Sequence, residues 1–132
     1  MVRKIFDKFI KWTKLKFTLH TLTDISFYFH DKEIWWASLG QNIGSEQNGK
    51  NVNFERPVLI FKKFNRQTFL GVPISSQLKN SPYHYIFDKD DRQYCLNFSQ
   101  IRVLSSKRLL RRVGMMNAID FQRIKNQFHR VV

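Results

Sequence analysis

Arg56 stands between Glu55 and Pro57 at the end of a long polar loop, and its setting is the first place where this chain could do chemistry. The segment 33–61, EIWWASLGQNIGSEQNGKNVNFERPVLIF, joins two strand-like apolar runs, 33–37 and 58–61, through a stretch punctuated by Gly40, Gly44 and Gly49. Pro disfavours the helical region for the residue before it. Arg56 is therefore expected to be extended, with its guanidinium leaving the backbone at the mouth of the second strand. A cation held there suits a phosphate. The alternative is a loop-closing salt bridge with Glu55 or Glu46.

Other chemistries find less support. His20, His30, His84 and His129 are scattered, with no HxxxH or HExxH spacing, so no metal site is expected. Asp88, Asp90 and Asp91 cluster, but without the glycine and distal glutamate of an EF-hand they read as a turn. There is no GxSxG, and the loop lacks the GxxxxGK[ST] spacing of a nucleotide-binding loop. Metal-free cleavage of RNA needs none of these patterns and stays open. RNA carries its own nucleophile in the 2′-hydroxyl, so a protein need only align the strand, manage protons and stabilise the phosphorane's extra charge.

Composition points the same way. The net charge of +13 and an isoelectric point near 10.2 favour a polyanionic partner. From Ile101 to Val132 there are eight Lys or Arg and one acid, Asp120. Thirteen Phe, three Trp and four Tyr can fill the core of one 132-residue domain. The single Cys95 excludes an internal disulfide and reads as a small buried hydrophobe in a reducing compartment. No apolar run approaches a membrane span, and Asp7, Lys8, Lys11 and Lys14 interrupt what a secretory signal would need. A compact, cytoplasmic protein is expected.

The elements that must position Arg56 follow from periodicity. Residues 3–18 read as an amphipathic helix with Phe6, Phe9, Ile10 and Phe17 on one face and Lys4, Lys8 and Lys11 on another. It is expected to pack on the domain, with a membrane-surface helix as the alternative. Residues 18–29 are a weakly patterned connection with room for a short strand. Strands are expected at about 33–38, 57–63, 67–74, 83–87, 93–98 and 101–104, with hairpin turns at 64–67 and 88–91. Ser105 or Ser106 could cap a helical turn through Leu110. Asn117 is a good N-cap for a last helix to about Phe128, with Phe121, Ile124, Phe128 and Val131 as its apolar stripe. The fold class is mainly β with helical additions (α+β), a small antiparallel barrel or strongly bent sheet. The division is 1–30, helix and connection, and 31–132, the globular domain.

EIWWASLG, GSEQNGK, ERPVLIFKKFN, VPISSQ and SQIRVLSSKRL, in that order and at compact spacing from about Asp31 to about Gly114, resemble the motifs of the MazF/PemK family of type II toxin-antitoxin ribonucleases. The resemblance implies an SH3-like barrel with helical additions. The N-terminal helix departs from the shortest members, whose first strand begins near the start of the chain, and its role is unassigned. It also implies metal-independent cleavage of single-stranded RNA to a 2′,3′-cyclic phosphate and a 5′-hydroxyl, by a bacterial homodimer held inactive by an acidic antitoxin. No cofactor is implied. In MazF-like members the RPV arginine and the PxT hydroxyl are catalytic, matching Arg56 and Ser75 here, with Ser in place of Thr. The alternative for Ser75 is a strand-end cap. Gly44, Glu46, Gln47 and Lys50 match the loop that borders the RNA groove, and Ser76 and Gln77 follow Ser75 as further substrate-binding candidates. Asn65 reads as a turn residue and is carried as one more. Where PemK-like members use an Arg and Asp pair, this chain has Asn97 and Ser99, which leaves the general base unassigned. His84 qualifies as a proton carrier by its intrinsic pKa.

Two rivals stand beside an RNA-cleaving toxin. One is a non-catalytic nucleic-acid-binding module on an SH3-like or OB-like barrel that stacks bases on Trp35 or Trp36. Adjacent strand residues face opposite ways, so one of that pair is expected in the core. The other is a gyrase-inhibiting toxin of related fold.

Overall fold

The computed structural model describes residues 1–23 and 27–132. Helix α1 (Val2–Thr21) precedes strands β1 (Glu33–Ser38), β2 (Glu55–Lys63), β3 (Thr68–Ser75), β4 (His84–Lys89), β5 (Arg92–Asn97), β6 (Arg102–Ser105) and β7 (Leu109–Met115), and helix α2 (Ala118–Val131) ends the chain. Short 3-10 turns at Phe98–Gln100 and Ser106–Arg108 flank β6. The fold is α+β, as expected.

One antiparallel sheet runs in the order β4-β5-β3-β2-β1-β7, with β6 added to β3. Strand β3 serves two partners along its length: Thr68–Gly71 pair with β6, and Ile74 and Ser75 pair with β5. The two partners follow one another along β3, and the sheet twists and curls into an open barrel. Register shifts in the β1/β7 and β2/β3 ladders sharpen the bend. The β4/β5 hairpin closes on Asp90 and Asp91, whose φ of 52° and 61° suit a two-residue turn.

Strand alternation feeds two cores. Ile34, Leu59, Val72 and Ile74 face α2, where they meet Phe121 and Ile124. Trp35, Ala37, Val58, Ile60 and Phe69 face the other way and pack with Phe29, Leu104 and Leu109. Trp35 is thus the core member of the tryptophan pair, and Trp36 stays half-buried with the Arg111 guanidinium 4.9 Å from its ring centre. Cys95 is buried. Helix α2 starts as expected, with Asn117 Oδ1 accepting from the Asp120 amide at 2.7 Å.

Three expectations change. Strand β7 occupies part of the stretch read as a helical turn, and the turn itself is only Ser106–Arg108, capped by Ser105. LLRRVGM carries one β-branched residue and a glycine, so its strand character comes from pairing with the distant β1. Helix α1 docks along one edge of the expected face: of the four apolar residues read there, Phe9 alone is partly buried, three residues before Trp12. Phe6, Ile10 and Phe17 are 61, 41 and 69% exposed, whereas Trp12 is buried. The amphipathic period was right and the inward side is turned toward Trp12, because what receives the helix is a notch shaped for one indole. In the 18–29 connection, α1 extends to Thr21, 27–29 are irregular, and 24–26 lie outside the described residues.

Glu33 locks β1 to the chain before it and to β7. Its side chain is nearly buried, accepts from the His30 amide (2.8 Å) and the Trp35 indole (3.1 Å), and pairs with Arg112 Nε at 3.1 Å. Burial alone would raise its pKa, but the hydrogen bonds and Arg112 together outweigh it and hold the carboxyl below the ordinary 4.5. A carboxylate depressed in this way adds stability above its unfolded-state pKa that is lost as pH falls through the folded-state value. Glu33→Gln should therefore cost about 1–3 kcal/mol at neutral pH. That gap should shrink as pH drops below 4.5, measured by denaturant unfolding of both proteins across pH.

Candidate active site

Arg56 is the second residue of β2, opposite Ala37 of β1. On its other side β2 pairs with β3 in the register Val58↔Pro73. That pair is the end of the ladder, and just beyond it Arg56 and Ser75 line the same two clefts. Pro57 has no N–H to offer β3, and the Ile74 carbonyl accepts from Arg56 Nη1 at 3.4 Å.

The loop before β2 closes over this pair. The amides of Leu39 and Gly40 both donate to the Phe54 carbonyl (2.8 and 3.1 Å), Gly49 donates to the Gly40 carbonyl (2.8 Å), and Lys50 and Glu55 exchange two backbone bonds of 2.8 Å. Gly49 lies so close to the Phe54 carbonyl that a Cβ there would sit 1.6 Å from its oxygen. Asn42 crosses the loop: its amide donates to Asn48 Oδ1 (2.6 Å) and its side chain to the Gln47 carbonyl (2.8 Å). From the opposite wall Gln100 accepts from the Gln47 amide (2.9 Å) and donates to the Ser45 carbonyl (3.2 Å).

The loop in turn holds Arg56. Nε donates to the Asn48 carbonyl at 2.7 Å, and the Gln47 carboxamide, assigned by its donor and acceptor surroundings with the oxygen toward the guanidinium, then accepts from Nη2 and Nε at 3.0 and 3.2 Å. The residue is 9% exposed, and burial pulls its pKa down from the ordinary arginine value, leaving it a cation at neutral pH. No described carboxylate pairs with it. Glu55 binds Arg111 at 2.8 Å, and Glu46 Oε1 accepts from the Ile43 amide at 2.9 Å, so the loop-closing salt bridge is absent.

Ser75 Oγ accepts from the Gln77 amide at 3.0 Å, which leaves its proton free to donate. Arg56, Ser75 and Lys50 line two adjoining clefts. One, of about 410 Å³, runs past Gly44, Glu46 and Gln47 on the loop side and Gln77, Lys79 and His84 on the other. The second, of about 370 Å³, holds Ser76, Trp36, Lys89, Arg92 and Tyr94. All the loop candidates and Ser75, Ser76 and Gln77 thus come together around Arg56. Asn65 does not. It sits at the far end of the β2/β3 hairpin, roughly 25–30 Å from Arg56 at the rise of a strand. Its Oδ1 accepts from the Gln67 and Thr68 amides and the Thr68 hydroxyl, so it is a turn residue.

His84, Lys79 and Gln100 were undervalued or missed in sequence. Nothing local ties His84 to Arg56; the β4/β5 pairing carries it to the cleft, where Nδ1 lies 2.5 Å from Ser81 Oγ. Burial and then Lys79 push its pKa below 6.5, so it is neutral at pH 7. Asn97 and Ser99 bind each other, with Asn97 Oδ1 accepting from the Ser99 amide and hydroxyl at 3.0 and 2.6 Å. Among the described residues no three His, Cys, Asp or Glu gather as a metal-binding group. Among them, too, no helix is long and apolar enough to cross a membrane.

The profile of the family described as PemK-like, MazF-like toxin of type II toxin-antitoxin system matches residues 30–132. The chain belongs to this PemK/MazF family. A solved structure titled an endoribonuclease in complex with its cognate antitoxin, from a mycobacterial species, shares the fold with a TM-score of 0.61 at 15% identity, covering 78% of this chain and 93% of that one. No curated protein matches in sequence. Helix α1 lies outside the residues matched to the PemK/MazF family.

The close approach at Gly49 is testable by itself. Gly49→Ala should cost about 2 kcal/mol in stability, because its methyl must displace backbone and not a flexible side chain. Limited proteolysis should then cut within 40–55, a region that stays resistant in the parent protein.

Proposed function

We propose that this protein is a toxin-antitoxin endoribonuclease that cleaves single-stranded RNA at the Arg56–Ser75 junction. The observation that carries the reading is the buried guanidinium of Arg56, which among the described residues is bound only by neutral acceptors and borders two basic clefts. A cation whose charge no carboxylate cancels is prepared for an anion that arrives with the substrate.

The 2′-hydroxyl attacks the adjacent phosphorus in line, a pentacoordinate phosphorane forms, and the bond to the 5′-oxygen breaks, leaving a 2′,3′-cyclic phosphate and a 5′-hydroxyl. Arg56 spans two non-bridging oxygens, and the Ser75 hydroxyl donates to one of them. His84, neutral at pH 7 and lining the same cleft, takes the 2′-hydroxyl proton when Nδ1–H bonds Ser81 and Nε2 is free; water protonates the departing 5′-oxygen. Gly44, Glu46, Gln47, Lys50, Ser76 and Gln77 border the strand. The partners of this reading are single-stranded RNA, a second copy of the chain and an acidic antitoxin that competes with RNA for the basic clefts, all in the bacterial cytoplasm.

Single-turnover cleavage of 5′-labelled RNA in chelator tests it. Arg56→Ala should lose about 10²–10³ in rate with the circular dichroism unchanged, and Arg56→Lys should recover little of it. Ser75→Ala should lose less, and Ser75→Thr should cut nearly as the parent does. One 2′-deoxy substitution at the cut position should abolish cleavage there. Persistent cutting of that substrate, or a parent-like rate for Arg56→Ala, would overturn the mechanism, and RNA bound but never cut would favour a binding module.

The pH profile checks the proton carrier. A base must be unprotonated to act, so the rate should climb with pH through a value below 6.5 and then level off. His84→Gln should remove that limb. An unchanged profile would take the role away from His84.

A further inference from the structure

Helix α1 touches the barrel where the loop around Arg56 begins and ends. Trp12, its buried residue, packs against Phe54 with ring centres 5.7 Å apart and lies across Gly40. Gly40 has φ of +91°, and a Cβ there would fall 2.2 Å from the indole, so the backbone and the ring share a space that only glycine leaves open. The Arg108 guanidinium lies 5.8 Å from the indole centre and donates to the Ser38 and Leu39 carbonyls at 3.0 and 3.3 Å. Lys107 Nζ ties the end of α1 through the His20 carbonyl at 2.8 Å.

Gly40 and Phe54 are the two ends of the loop. The Phe54 carbonyl takes the Gly40 amide, the Gly40 carbonyl takes the Gly49 amide, and Asn42 then reaches across to Gln47 and Asn48. Gln47 and Asn48 are the loop's contacts with Arg56. An unbroken chain of contacts therefore runs from the indole to the guanidinium.

We infer that Trp12 is a positioning residue for RNA cleavage, and that α1, outside the family's matched residues, sets the loop that aims Arg56. The inference rests on the reading of Arg56 as the phosphate-binding group. Trp12 touches no substrate and acts through Gly40, Phe54 and the 42–48 crossing. Misplacing a catalytic group by about 1 Å costs on the order of 10² in rate, while binding by the surrounding lysines is spared.

The test compares the full-length parent with Trp12→Ala, Trp12→Phe and Ile124→Val in single-turnover RNA cleavage, RNA binding and amide hydrogen exchange. Trp12→Ala should lower the rate constant of the folded fraction by about 10- to 100-fold, with RNA affinity within about threefold. Trp12→Phe should restore most of the rate. The amides of Gly40, Asn42, Gln47 and Gly49 should exchange faster in Trp12→Ala than in the parent. Ile124→Val, a buried change on the inner face of α2, should lower only stability, by about 1 kcal/mol. A role confined to stability would cut the amplitude of cleavage and leave its rate constant alone, and that result would overturn the inference. If Trp12→Ala does not fold, Trp12→Leu carries the same comparison, and parent-like rate and exchange in it would overturn the proposal. If the parent cuts no RNA, the functional reading fails first; exchange at the four amides then decides the positioning claim separately.

Discussion

The hold on Arg56 is the constraint to which the rest of this structure answers. Burying a guanidinium without a counter-charge is costly, and the usual remedy is a carboxylate. Here the remedy is the Asn48 and Ile74 carbonyls and the Gln47 carboxamide, dipoles that orient the cation without neutralising it. Two acids of the clefts are engaged elsewhere, Glu55 with Arg111 and Glu46 with the Ile43 amide. The site keeps a positive potential because Lys50, Arg56, Lys79, Lys89 and Arg92 outnumber the acids Glu46, Glu55 and Asp90 along the two clefts.

Those dipoles are worth little unless the loop carrying two of them is rigid. The residues between β1 and β2, 39–54, are a largely polar chain with no reason to hold one shape, and their ordering entropy must be offset locally. The offset comes from backbone bonds at Phe54 and Gly40, the Asn42 crossing, and Gln100 reaching from beyond β5. The sheet supplies the opposite wall. Because β3 changes partner midway, from β6 to β5, its last residue, Ser75, stands at the bend, where the barrel opens and two clefts can meet at one hydroxyl.

Much of this was legible in the chain itself. The six strands read from alternation lie within a few residues of their places, Asn117 caps α2, and Arg56 stands extended before Pro57, because each of these follows from interactions between near neighbours. The motifs from EIWWASLG to SQIRVLSSKRL carried the family. Asn65, read as a turn residue, is one. A less local feature escaped, since LLRRVGM is a strand only because β1 offers it an edge.

What the sequence alone determined, then, is the local grammar: which residues extend, where the chain turns, that one of Trp35 and Trp36 must be core, and that the surface is cationic. Tertiary structure decided the rest. It chose Trp12 over Phe6, Ile10 and Phe17 as the docked side of α1, since the choice depends on a notch at Gly40 that lies 28 residues away in the chain. It brought His84 to the cleft of Arg56 and Ser75 through strand pairing, and set Arg56 and Ser75 on the same two clefts just past the end of the β2/β3 ladder. Periodicity gives an element its faces, but only the shape of a neighbour distant in sequence selects which face is used.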